Sequence, residues 1–186
     1  MGGGGWKDGL RAGGALTVLT CFAGGVAAQT LGDPAAIFSG VRIVDNRTRS
    51  YVRRALTNAR AQLAEPACRQ VLSEFADQAG RPLQESLDAL QQQPDEYLSS
   101  LFYYDGSGTP DCRPAVAAAT TRGSHVVLIC ADRFVRTRWP DGEVTLIHEM
   151  LHSLGLGENP PTSLEISRRV RMRCFDHLAQ RRPSTR

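Results

Sequence analysis

The stretch that decides this sequence is residues 142–161, GEVTLIHEMLHSLGLGENPP, and within it His148-Glu149-Met150-Leu151-His152 reads HExxH. On an α-helix the two histidines stand about 400° apart, one turn plus about 40°, so their side chains share a face. Glu149 lies about 100° round from His148 and borders the same cavity. This placement suits two imidazoles holding one Zn²⁺ per chain, with Glu149 beside it as general base toward the water that attacks a carbonyl. Ile147, Leu151 and Leu154 fall on a separate stripe at spacings of 4 and 3, which would bury the back of the helix.

A catalytic zinc takes three protein ligands and keeps a further position open. The continuation to Glu158 reads HExxHxxGxxE and resembles the metzincin metallopeptidase signature HExxHxxGxxH. Gly155 stands where that family turns its chain, and Glu158 stands where it has its third histidine. The resemblance implies that Glu158 returns to the metal, here as part of a His₂Glu set like that of thermolysin-type enzymes. Glu165 is the alternative third ligand. In the thermolysin-like group a glutamate on a second helix completes the site, and Glu165 lies on the helix that follows, 13 residues past His152, a shorter spacing than that group shows. Thr162-Ser163-Leu164-Glu165 also reads as a capping box, in which Glu165 would bond only the start of its own helix. Asp176 and His177 are further choices, and Met172 could serve as a metzincin-type methionine beneath the metal or as ordinary packing.

Upstream, His125 to Ala131 (HVVLICA) is the clearest strand in the chain, bounded by Gly123-Ser124 and Asp132-Arg133. A cysteine-bearing strand followed shortly by TLIHEMLH is similar to the arrangement in deuterolysin-type aspzincins, although their downstream GTxxD motif is absent. The zincin resemblance implies a strand flanking the active-site helix and offering its edge to an extended peptide. Helical signals dominate elsewhere: Thr48–Ala64, a helix opened by Pro66, Pro82–Leu90, Asp95–Tyr103, Gly142–Leu154 and Thr162–Ala179. Residues 133–141 read as a polar connection and Val41–Val44 as a short strand. The expected fold is therefore α+β: a mostly helical zincin-like domain with a small sheet, whose edge strand at about 125–131 flanks the HExxH helix.

Lys7 and Arg11 precede an uncharged run from Ala12 to Ala28, which reads as a signal peptide over 1–28 rather than a retained anchor. A lead-in or propeptide over 29–46, the domain over 47–180 and a flexible tail over 181–186 complete the expected layout. Four cysteines follow the signal, and in an exported chain they suggest two disulfides, with Cys112–Cys130 and Cys68–Cys174 favoured because the first closes a short loop and the second ties two helices. The net charge of +3 makes no case for nucleic acid, although all but one of the 22 basic residues are arginine. The sequence thus points to a secreted or periplasmic zinc metalloendopeptidase acting on a peptide or protein substrate, with no nucleic-acid partner and no membrane attachment after signal cleavage. The competing reading is a catalytically inactive zincin-fold binding or envelope protein. His125 and the Tyr103-Tyr104 pair invite catalytic roles but read more simply as packing and cap residues, and the arginines of the last helix as a solvated face.

Overall fold

A computed structural model describes residues 40–176. The expected signal segment, the lead-in up to residue 39, Cys21, His177 and the tail lie outside the described residues. The first long helix, α1 (Asn46–Leu63), starts where Asp45 accepts a hydrogen bond from the Thr48 backbone N–H at 2.7 Å, a side-chain N-cap that relieves one of the helix's orphan donors. Its apolar positions, Val52, Ala55, Leu56, Ala59 and Leu63, recur at the helical period and are all buried.

Four short helices follow: α2 (Pro66–Arg69), α3 (Val71–Glu74), α4 (Leu83–Leu90) and α5 (Pro94–Ser100). The helix expected over Asp95–Tyr103 stops early. Leu101 adopts extended backbone, and Phe102–Asp105 forms β1, where two tyrosines and a phenylalanine follow the strand preference of aromatics rather than the preceding helical register. Then come β2 (Ala118–Ala119), β3 (Val126–Ile129), α6 (Ala131–Phe134), α7 (Asp141–Ser153) and α8 (Ser163–Cys174). The short helix α6 takes in Ala131, expected as the end of the strand, and the first two residues of the segment read as a polar connection over 133–141, where Phe134 is buried.

The architecture is α+β, as expected, with one correction. The strand at 126–129 is the centre of the sheet, not its edge: the order is β1-β3-β2, with β1 parallel and β2 antiparallel to β3. The burial of β3 alternates, with Val127 and Ile129 fully buried on one face and Val126 and Leu128 half-buried on the other, so the apolar run serves both faces unequally. The edge beside α7 belongs to β2, which two alanines do not announce as a strand. On the far side of the sheet the expected Val41–Val44 strand reduces to a single parallel bridge between Val41 and Tyr103.

Helix α7 runs through the middle of the domain, packed on α1 and α8, and every residue from Gly142 to Ser153 except Thr145 is buried. Ile147, Leu151 and Leu154 face the core as their spacing implies, joined by Leu146 and Met150. Two disulfides close the chain, Cys112–Cys130 and Cys68–Cys174, in the favoured pairing. The second joins α2 to α8 across 106 residues with both cysteines fully buried. Helix α8 is further held on α3, where Glu74 pairs with Arg169 at 2.9 Å and with Arg173. Partial burial raises the Glu74 carboxyl, but the two guanidinium groups outweigh it and leave its pKa below the ordinary value. Loop-closure entropy grows with loop length, so replacing Cys68 and Cys174 together with serine is expected to cost about 2–5 kcal/mol in urea unfolding, more than the same change at Cys112 and Cys130. Equal losses for the two pairs would contradict this ordering.

Candidate metal centre and cleft

Helix α7 ends in a Schellman arrangement that builds the site. Gly155, at φ +110°, donates its N–H to the His152 carbonyl at 2.9 Å, and Leu156 donates to the Leu151 carbonyl at 3.1 Å. An L side chain is strained at this φ, and its Cβ would also press on the Asp77 Cβ at 3.3 Å, so the stop depends on glycine. The turn brings the Leu156 carbonyl within 2.9 Å of His152 Nδ1 and swings the next residues back over the helix. A carbonyl can only accept, so His152 carries its proton on Nδ1 and leaves Nε2 bare as a ligand atom.

His148 is oriented from the other side. Its Nδ1 lies 2.9 Å from Ser167 Oγ on α8, and a serine hydroxyl can take the acceptor role that leaves Nε2 free. The two Nε2 atoms are 2.9 Å apart, and Glu158 Oε1 lies 3.5 Å from that of His148 and 3.3 Å from that of His152. His148, His152 and Glu158 form a group close enough to hold a metal ion, the two histidines buried and the glutamate partly exposed. Removing the Ser167 hydroxyl frees one imidazole to rotate. Ser167→Ala is therefore expected to weaken metal binding about 10–100-fold in a competition titration with a chromophoric chelator, and an unchanged affinity would deny the serine this role.

Glu149 is buried beside the group, and its Oε2 has no hydrogen-bond partner of ordinary geometry. Burial pushes its pKa up to about 7, the Thr120 hydroxyl and N–H on the β2 side pull it down, and the Glu158 charge adds to the rise. Burial also lowers His148 to about 4, with His152 reinforcing the fall and Glu158 opposing it. These groups face a cavity of about 590 Å³ between α7 and the segment 115–120, which carries β2; Ser163 and Ser167 of α8 close another wall.

Glu165 does not join the group. Its carboxylate accepts from the Thr162 N–H at 2.7 Å and the Thr162 hydroxyl at 2.8 Å, completing the capping box that its spacing suggests. Asp176 is exposed and outside the group, and Met172 is 45% exposed on α8, a surface position rather than one beneath the ligands. Tyr103 is buried and donates its hydroxyl to the Leu98 carbonyl, Tyr104 is exposed, and His125 stacks edge-on to Tyr97; none of the three lines the cavity. Sequence reading missed Thr120, Ser167 and the Leu156 carbonyl, whose roles arise from contacts 19 or more residues apart or from a turn's main chain. No family model matches the chain, and no curated protein or solved structure matches it.

Proposed function

We propose that this chain is an exported zinc metalloendopeptidase that holds one Zn²⁺ through His148, His152 and Glu158 and hydrolyses peptide bonds with Glu149 as general base. The observation that carries the proposal is the convergence of two imidazole Nε2 atoms and a carboxylate oxygen beside a buried carboxylate with an unpartnered oxygen. Tetrahedral zinc with ligands at about 2.0–2.1 Å requires donor atoms about 3.3 Å apart. The three separations here, 2.9, 3.3 and 3.5 Å, bracket that value. Two imidazoles and one carboxylate are also a donor set that zinc takes, and one that leaves a coordination position for water or substrate.

When bound, the ion supplies a Lewis acid that polarises a substrate carbonyl and makes water more acidic. The remaining chemistry belongs to the chain. Glu149 accepts the proton of the attacking water at its unpartnered oxygen and returns it to the departing amine. Ser167 and the Leu156 carbonyl hold the imidazoles in one orientation. The outer edge of β2, which has no strand partner among the described residues, small side chains at Ala115, Ala117, Ala118 and Ala119, and the cavity support an extended peptide as substrate. Two disulfides support an oxidising compartment, hence secretion or the periplasm, and among the described residues no helix is long and apolar enough to cross a membrane.

The test is the metal content of the purified protein together with its action on a peptide library. One zinc per chain and chelator-sensitive cleavage are expected. Stoichiometric zinc with no cleavage would replace the peptidase by a zinc-bearing binding protein, and no zinc would remove both readings.

A further inference from the structure

We infer that Arg122 selects substrates by pairing with a carboxylate next to the scissile bond, so that the cleft takes acidic peptides; this rests on the peptidase reading above. Arg122 lies at the second position of a tight turn from Thr121 to Ser124, closed by the Ser124 N–H to the Thr121 carbonyl at 2.9 Å, with Gly123 following at φ +73°. That turn is fastened to the metal-bearing helix. The Gly123 N–H donates to the His152 carbonyl at 3.0 Å, the same carbonyl that receives the Gly155 N–H. The backbone beneath Arg122 is thereby held at the end of α7 rather than on a free loop.

Its side chain is laid across the other arm of the site. The Arg122 guanidinium carbon sits 3.5 Å, and Nη2 3.6 Å, from the point a Cβ on Gly157 would occupy, immediately before Glu158. Glu158 aims Oε1 at the two imidazoles, and among the described residues Arg122 makes no hydrogen bond or ion pair, to Glu158 or to any other group. A planar fork of donors therefore lines the cavity with its donors uncommitted.

The charges lining the cavity point the same way. Asp111 and Arg113 offset each other, and Glu149 and Glu158 would offset a divalent ion held by the group proposed above, which would leave Arg122 as the remaining charge. A guanidinium in a cleft that a substrate closes from water binds a carboxylate by charge-assisted, bidentate hydrogen bonds and gains little from a neutral amide. The carboxylate can come from an aspartate or glutamate side chain or from the free C-terminus of a short peptide, and the two sources differ in what they make of the enzyme: an endopeptidase of acidic sequences or one that trims chain ends.

The experiment uses the zinc-loaded protein and one fluorogenic peptide scaffold, varied between Asp or Glu and Asn or Gln at each position flanking the cleaved bond, and made with a free or an amidated C-terminus. Carboxylate-bearing members are expected to be cleaved with about ten-fold higher kcat/KM than their amide counterparts. The ratio should fall to near one in Arg122→Gln, and should invert toward Lys-bearing peptides in Arg122→Glu, with zinc content confirming that both variants are folded. Preference confined to free C-termini identifies the trimming mode, and preference that survives amidation identifies acidic side chains. The same series is measured for equilibrium binding to the Glu149→Gln protein. Arg122-dependent binding of acidic peptides without cleavage in the parent would end the peptidase reading and leave this inference standing. Cleavage without acidic preference, a preference unchanged in Arg122→Gln, or neither cleavage nor selective binding would overturn it.

Discussion

Glu149→Gln is expected to lower kcat by about 10²–10⁴-fold while the protein still carries one zinc. Glutamine keeps the shape and burial of the side chain but cannot take a proton at the oxygen that Glu149 leaves unpartnered. The split between the two readouts is what gives the experiment its force. His148 and His152 flank Glu149 in the chain but are oriented by Ser167 and by the Leu156 carbonyl, neither of which involves the Glu149 carboxylate. Zinc should stay when the base is lost. Hydrolysis that survives the substitution would move the proton transfer to another group, and loss of zinc with activity would mean that Glu149 helps to hold the ion.

The second large effect separates the two glutamates that follow the motif. Under the proposed function Glu158→Ala would remove one of three donors, and it is expected to weaken zinc binding by more than about 100-fold, beyond what an outer orienting residue contributes. Glu165→Ala should leave zinc affinity unchanged and cost about 1 kcal/mol of stability, because its carboxylate bonds the Thr162 N–H and hydroxyl at the start of α8. Parallel zinc titrations and thermal melts of the two variants give a crossed pattern if this is right. Zinc affinity untouched in Glu158→Ala would dismiss Glu158 as the third donor.

Much of the centre was legible because its determinants are local. Two histidines and a glutamate on one helix lie around one side of it by geometry alone, and Gly155 marks a helix stop because few other residues adopt its φ; the return of Glu158 is only what the resemblance to the metzincin motif implies, with Glu165 as the alternative. The capping box at Thr162 was readable for the same reason. The cysteine pairing is, in the sequence, only the favoured one of three connectivities, and the structure supplies the tie between Cys68 and Cys174 across 106 residues. What escaped depends on distance in the chain. Phe102 and Tyr103 fall at the end of the helix expected over Asp95–Tyr103, and pairing with β3 lets the strand preference of the aromatics prevail. Ala118–Ala119 has no strand signature at all, and it becomes an edge by annealing to Leu128 and Ile129. Ser167 is one of many serines until α8 docks and places its hydroxyl on His148.

The sheet has two outer sides with different fates. Along β1 the chain from Gly40 to Arg42 lies alongside, with Arg42 donating to the Tyr103 carbonyl and Tyr103 donating to the Gly40 carbonyl, so that side already has a neighbour. The outer side of β1 has the single bridge between Val41 and Tyr103, whereas among the described residues the outer side of β2 has none, and the segment that carries β2 lines the cavity. Unpaired strand edges are where folded proteins stick to one another. Here the barer of the two edges lines the cavity beside the candidate metal-binding group, so another copy of the chain that paired with it would enter the space a substrate would fill. Edge-to-edge aggregation and substrate occupancy are thereby competitors for one surface, and a chain with its cleft filled is also a chain with its remaining edge covered.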